Sequence, residues 1–353
     1  MRIAQIAPLC ESVPPRFYGG TERIVSHLTE ELVARGHEVT LFASGDSVTS
    51  ARLEPGCERS LRLAAHTRDP LAHHFVMLER VFDQVDHFDI LHFHCDYLHF
   101  PLSRRHRAST VTTLHGRLDL PDLEPLYREY SEMPLISISN AQREPLPWAR
   151  WLATIHHGIP AGFYPYHAGP GRYLAFLGRV SPEKRVDRAI EIARRAGMEL
   201  QIAAKVDPAD REYFDRVVKP LLDEPGVEFV GEIGEADKGA FLGDAHALLF
   251  PIDWPEPFGL VMIEAMACGT PVIAYRRGSV PEIVEDGVTG CIVENIEDSV
   301  RAVDIVAGMS RRACRLEFER RFTVERMTRE YLAVYQRVIT TGASASCEPA
   351  SKS

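Results

Sequence analysis

The chain has 353 residues, 45% of them hydrophobic and 25% charged, with a formal net charge of -10. That length exceeds what one core usually supports, so two domains are expected. The acidic balance argues against non-specific nucleic-acid binding, which needs positive charge to displace counterions. Cysteines stand singly at 10, 57, 95, 268, 291, 314 and 347, with no C-x-x-C pair. Neither a disulfide framework nor a zinc ribbon is expected, and a reducing cytosol fits best.

The opening "MRIAQIAPL" lacks the apolar core of a signal peptide and reads as a buried first strand. No apolar run approaches the ~20 residues that span a bilayer. The Pro/Gly-rich loop "ESVPPRFYGGTE" follows. Then "TERIVSHLTEELVARG" repeats Ile24, Val25, Leu28, Leu32 and Val33 at helical spacing and stops at Gly36. "HEVTLFAS", "FDILHFHCD", "STVTTLHG" and "PLISISN" read as further strands. The basic run "SRRHR" (103–107) reads as a solvated helix or loop face, with an acceptor-facing or membrane-surface role as the alternative. "HHGIPAGFYPYHAGPG" (156–171) has the composition of a connection between domains.

The pattern then restarts. "GRYLAFLGRV" is a strand, "KRVDRAIEIARRAG" a helix and "MELQIAAKV" a strand. A helix through Tyr213 and Leu221 is expected, then the strands "VEFVGEI", "AHALLFPI" and "PVIAY". "FTVERMTREYLAVYQRVI" is a long helix, and the small, polar tail after it is expected to be disordered. Strands alternating with helices imply βαβ units and parallel sheets. The predicted division is 1–163, 164–322, a helix 323–341 packing toward the first domain, and a tail 342–353. Two such domains usually hold ligand between them, at the carboxyl ends of the strands.

The most apolar stretch, "WPEPFGLVMIEAMACGTPVIAY" (254–275), holds two glutamates, Glu256 and Glu264. A buried carboxylate is expensive unless something pairs with it. The helix "LVMIEAMA" is apolar all round apart from Glu264, so it is expected to be buried. Glu256 lies in the turn before it. Amides near Phe258, Gly259 and Leu260 could hold a phosphate at the helix N-terminus, and Glu264 could accept two neighbouring hydroxyls. The competing reading is that Glu256 only caps the helix and Glu264 pairs with a core arginine. If a ligand completes their bonds, both carboxylates should meet solvent.

"EPFGLVMIE" is an E-x7-E pattern, followed by "AMACGTPVIA" and "GSVPEIVEDGVTGCIV". Together they strongly resemble glycosyltransferase family 4, retaining nucleotide-sugar-dependent enzymes of the GT-B fold with two facing Rossmann-like domains. "FYGGTERIVSHLTEELVARGHEVTLFA", "TLHG", "HHGIP" and "LGRVSPEKRVDRAIEIA" match successive family elements in family order, so the resemblance covers most of 1–340. It implies that Glu256 contacts the donor sugar and Glu264 the ribose hydroxyls. Arg179 and Lys184 would neutralise the diphosphate. Gly19 and Gly20 would let a loop approach the phosphates, and His115 would sit where donor sugar meets acceptor. The backbone from Gly231 to Ile233 would contact the base. Lys205 ends the strand "LQIAAKV", where it reads as a cleft residue or as a solvated lysine. Many relatives have Asn where His157 stands, and Trp254 and Pro255 mark a subgroup.

The implied activity is transfer of a hexose from a nucleotide diphosphate sugar, of the UDP-glucose or GDP-mannose type, to an acceptor hydroxyl with retention. The alternatives are a GT-B nucleotide-sugar epimerase and a non-catalytic nucleotide-sugar-binding protein. No metal cofactor is expected, because the chain contains no D-x-D triplet. The one metal-like cluster is His92, His94, Cys95 and His99, read as a polar strand end in preference to a zinc site. The acceptor is expected on the first domain, near the loops "ESVPPRFY" and "DLPDLEPLYREY", as a small molecule, lipid-linked sugar or glycan. Location is expected to be cytoplasmic, with room for peripheral contact at a membrane face.

Overall fold

The structure is a computed structural model. It describes all residues except Tyr18, Leu63, Ala65, His66, Arg107 and 346–353, with side chains omitted at 342–345. The chain divides into two units. The first holds Met1–Ile138, Arg143–Ile159 and the chain from Val324 onward, and the second holds Ser139–Gln142 and Pro160–Thr323.

The first unit is built on strands β1 (Arg2–Ile6), β2 (Glu38–Ser44), β3 (Arg52–Cys57), β4 (Ile90–Phe93), β5 (Thr110–Thr113), β6 (Leu135–Ser137) and β7 (Trp151–Thr154). They form one sheet in the order β3-β2-β1-β4-β5-β6-β7, with every pair parallel. One face is apolar. Ala4, Ile6, Leu91 and Phe93 pack with Met77, Leu78, Val81 and Phe82 of the helix Pro70–Asp83. The alternate residues of the same strands are polar, and Gln5, His92 and Thr113 are all fully buried. The long helix Val324–Ala345 buries Met327, Tyr331, Val334 and Tyr335, a spacing that lines one helical stripe. Its tyrosines bond to the polar face.

The second unit is built on β8 (Tyr173–Arg179), β9 (Leu200–Lys205), β10 (Val227–Gly231), β11 (Ala245–Phe250), β12 (Val272–Tyr275) and β13 (Gly290–Val293). Their order is β10-β9-β8-β11-β12-β13, again all parallel. These strands read as near-continuous apolar runs because helices cover both faces. The helix Val186–Ala196 ends at Gly197 and the helix Leu260–Cys268 at Gly269, both in the left-handed region.

Two sequence expectations need correction and one needs refinement. The helix expected through Tyr213 and Leu221 is present as an irregular helical segment over 208–223, whose hydrogen bonding passes from 3-10 through α and π back to 3-10, and Pro220 removes a backbone donor in its midst. The final helix runs on to Ala345, so the tail read from 342 is helical at its start, while 346–353 lie outside the described residues. "DLPDLEPLYREY", read as a loop, contains the helix Leu123–Glu129. Strand β3 had no sequence signature: it carries Pro55 and Gly56, which only an edge strand tolerates. In the basic run, Arg104 bonds Glu129 and Glu132 at 2.6 Å, which balances part of its charge. No helix among the described residues is long and apolar enough to cross a membrane.

Candidate active site

In the second sheet the strand order reverses between β8 and β11, the point at which parallel α/β sheets open a crevice at their carboxyl ends. The loop after β8 carries Lys184, and the loop after β11 carries Glu256. Lys184 Nζ forms an ion pair with Glu256 Oε2, which also accepts a hydrogen bond from Trp254 Nε1 at 3.0 Å. The Lys184 ammonium lies 5.1 Å from the centre of the Trp254 ring and 5.4 Å from that of Phe250. Cation, carboxylate and two aromatic faces therefore share one half-buried nook.

The loop that carries Glu256 is pinned from 23 residues ahead. Ser279 donates its amide to Glu256 O at 2.9 Å and its hydroxyl to Phe258 O at 2.8 Å. Gly278, at φ +51, leaves no room for a side chain, because an added Cβ would overlap the Glu256 backbone. Replacement by alanine combines that overlap with a left-handed backbone, at a cost of about 2–4 kcal/mol. Gly278→Ala is expected to lower Tm by several degrees in a thermal melt. An unchanged Tm would show that the loop yields freely.

Glu264 sits on the helix Leu260–Cys268 and is 3% exposed. Its Oε1 accepts from Lys238 Nζ at 3.1 Å and from Tyr164 Oη at 3.3 Å. Lys238 also faces Glu235 at 3.4 Å, and Tyr164 donates to Glu235. The expectation that both carboxylates meet solvent is therefore wrong. Each has a protein cation, Lys184 for Glu256 and Lys238 for Glu264, because a carboxylate this buried needs a compensating charge within the fold. The core arginine considered for Glu264 is replaced by a lysine. Lys238 and Tyr164 escaped sequence reasoning; the only trace was Glu235 and Lys238 one helical turn apart.

At the entry to that helix, Gly259 takes φ +77 as the N-cap and Leu260 opens the first turn. Phe258 is buried, with its ring edge-on to Phe322. Arg179 ends β8 and is in register with Lys205, which ends β9. Arg179 makes long contacts of 3.4 Å to both Glu183 and Asp210, while Lys205 pairs with Asp207 at 2.7 Å. Thus three cations, Arg179, Lys184 and Lys205, stand at the carboxyl ends of neighbouring strands. Gly231 ends β10 in the left-handed region, and Ile233 lies half-buried just before the helix Glu235–Gly243.

In the first unit, Gly19 abuts Pro15 so closely that a Cβ would clash, and Gly20 opens the helix Gly20–Ala34. His115 follows β5, and its Nε2 lies 2.9 Å from His94 Nδ1. The His157 ring stacks on it at 5.3 Å. Burial lowers the pKa of His115 to about 3 and pushes those of His92, His94, His99 and His157 well below the ordinary range. All are therefore neutral at pH 7. Both ring nitrogens of His92, His94 and His99 are engaged by Tyr335, Thr113, Gln5, His115, Ser103 and Thr112. Cys95 packs in the apolar cluster on the other side of the sheet. Among the described residues no group of three potential ligands could hold a metal ion.

Two parallel Rossmann-type sheets, each with its own core, define the GT-B class of fold. The family follows from comparison with known proteins. The model described as Glycosyltransferase Family 4 matches residues 18–208, over half of the chain, and that described as Glycosyl transferases group 1 matches 167–312. The chain belongs to glycosyltransferase family 4. D-inositol 3-phosphate glycosyltransferase of Mycobacterium tuberculosis is 33% identical over 184 residues, which are 48% of this chain and 38% of that protein. The chain spans less than half the length of the curated relatives it matches. Sucrose-phosphate synthase from Thermosynechococcus elongatus shares the fold with a TM-score of 0.81 at 19% identity, over 97% of this chain and 100% of that one. Anabaena HepE, solved in complex with UDP and glucose, shares it with a TM-score of 0.69 at 17% identity, over 98% and 100%.

Proposed function

We propose that the protein is a retaining glycosyltransferase that moves a hexose from a nucleotide diphosphate sugar to an acceptor hydroxyl. The observation that carries this reading is the group Arg179, Lys184 and Glu256 at the carboxyl ends of β8 and β11, where the strand order reverses. The donor is of the UDP-glucose or GDP-mannose type, and the UDP bound by HepE favours uridine as the first candidate. The acceptor is a small molecule, lipid-linked sugar or glycan taken by the first unit, in a cytoplasmic setting.

In the reaction, the bond from the anomeric carbon to the diphosphate oxygen breaks, and a bond to the acceptor oxygen forms on the same face. The acceptor's proton passes to the departing phosphate oxygen. Negative charge grows on the diphosphate as the bond breaks, and Arg179 and Lys184, with the amides at Gly259 and Leu260, are the groups that stabilise it. This fixed positive charge does the work of a divalent cation, so no metal is required. Glu256 stabilises the oxocarbenium-like sugar without bonding to it. Glu264, oriented by Lys238 and Tyr164, receives the ribose hydroxyls.

A thermal-shift screen over nucleotide sugars tests the donor site. A donor at 100 times its Kd stabilises by about 2.7 kcal/mol. UDP-glucose or GDP-mannose is expected to raise Tm, and Arg179→Ala to abolish most of the rise. An undiminished shift in that variant would remove the diphosphate assignment. With acceptor present, turnover should persist in EDTA. Conversion of the donor alone into an epimer would favour the epimerase, and binding without any turnover would favour the non-catalytic alternative.

A further inference from the structure

The buried polar face of the first sheet is one continuous hydrogen-bonded chain. Tyr335 Oη bonds both His92 Nδ1 at 2.6 Å and Gln5 Nε2 at 3.1 Å. His92 Nε2 bonds Thr113 Oγ1 at 2.7 Å, and that hydroxyl bonds Tyr331 Oη at 3.0 Å. Gln5 Oε1 bonds His94 Nε2 at 2.8 Å, and His94 Nδ1 bonds His115 Nε2 at 2.9 Å. Gln5 and His92 are fully buried and His94 is 2% exposed. The last atom, His115 Nδ1, is shielded from water and meets no partner.

A neutral imidazole has one donor and one acceptor nitrogen, so the sense of such a chain is set at any single point. Gln5 is that point, because only its amide has a fixed acceptor end and a fixed donor end. With Oε1 toward His94, His94 must carry its proton on Nε2 and accept at Nδ1. His115 must then donate from Nε2, which leaves a bare lone pair on Nδ1. Turning the amide over reverses every bond and leaves His115 with a buried Nδ1–H that has no acceptor. Orphaned buried donors are rarer in proteins than under-satisfied acceptors, so the first sense is favoured. Burial keeps all three rings neutral, as the chain requires.

We propose that Gln5 is a positioning residue: acting through His94, it holds His115 as the Nε2–H tautomer so that Nδ1 accepts a hydrogen bond from a hydroxyl of the bound sugar. This rests on the reading of the protein as a glycosyltransferase with His115 facing its substrate. The ligand group recognised is an alcohol that can donate, so a deoxy or methoxy group at that position would leave the lone pair unmet.

The test uses the full chain with 15N-labelled histidine and long-range proton–nitrogen correlation spectra. His115 is identified by the signals that vanish in His115→Phe. In the wild-type protein His115 is expected to show a protonated Nε2 and a bare Nδ1. Gln5→Met should mix the two tautomers. It should also cut kcat about tenfold or more while leaving the donor KM within a few-fold, as loss of an orienting partner does. Gln5→Glu keeps an acceptor for His94 and should keep the wild-type tautomer. A proton on Nδ1 in the wild type, or an unchanged His115 tautomer in folded Gln5→Met, would overturn the proposal. Should Gln5→Met not fold, the wild-type and Gln5→Glu spectra decide alone. If no nucleotide sugar is turned over by the wild type, the functional reading fails while the spectra still settle the tautomer.

Discussion

Glu256→Gln is expected to lower kcat by about 10²–10³ while nucleotide binding changes by no more than a few-fold. Glutamine keeps the length of the side chain, so Trp254 Nε1 and Lys184 Nζ still find an oxygen to bond. What disappears is one negative charge beside the proposed position of the sugar. Removing one preorganised electrostatic group aimed at transition-state charge costs about that much in rate. In the proposed donor site the nucleotide half is held by Arg179, Lys205 and the amides at Gly259 and Leu260, none of which the substitution touches. Steady-state kinetics with saturating acceptor, alongside nucleotide titration by calorimetry, separates the two quantities. A variant with wild-type kcat would show that Glu256 does not act on the sugar.

Lys238→Met should be strongly destabilising. The lysine and Glu264 side chains are 14% and 4% exposed, so the pair is largely desolvated. Breaking a buried pair from one side costs about 3–5 kcal/mol, because the other charge is left uncompensated. Tyr164 Oη still lies 3.3 Å from Glu264 Oε1, but its one proton is shared with Glu235, so it offsets little of that loss. Chemical denaturation checks the loss. The double variant with Glu264→Leu should recover much of the stability, and an unchanged denaturation midpoint in Lys238→Met would show that the pair contributes nothing to it.

Much of the architecture is legible in local patterns. Apolar runs such as "YLAFLG" and "ALLF" mark strands covered on both faces, and the restart at 171 marks a second series. Gly36 and Gly269 announce helix ends because few other residues adopt the left-handed conformation that a stop requires. Glu256 and Glu264 stand out because two carboxylates in the most apolar stretch demand partners. The partners themselves are not local. Lys238 lies 26 residues before Glu264 on a different helix, and Lys184 lies 72 before Glu256. No periodicity links such positions, so solvent-facing carboxylates were as compatible with the sequence as paired ones.

The same division separates Gln5 from its role. A glutamine inside "RIAQIAPL" is a visible exception to an apolar strand, and "HFH" is a visible alternation. Strand period alone puts Gln5 on the face opposite Ala4 and Ile6, and His92 and His94 on a common face. Only the order β1-β4-β5, together with the helix Val324–Ala345 laid across them, brings Gln5, His94, His115 and Tyr335 within hydrogen-bond reach. Local free energies of turns, caps and alternating burial are written along the chain and can be read residue by residue. Which buried charge or proton donor meets which depends on strand order and helix docking, and these are settled only when the whole core is packed.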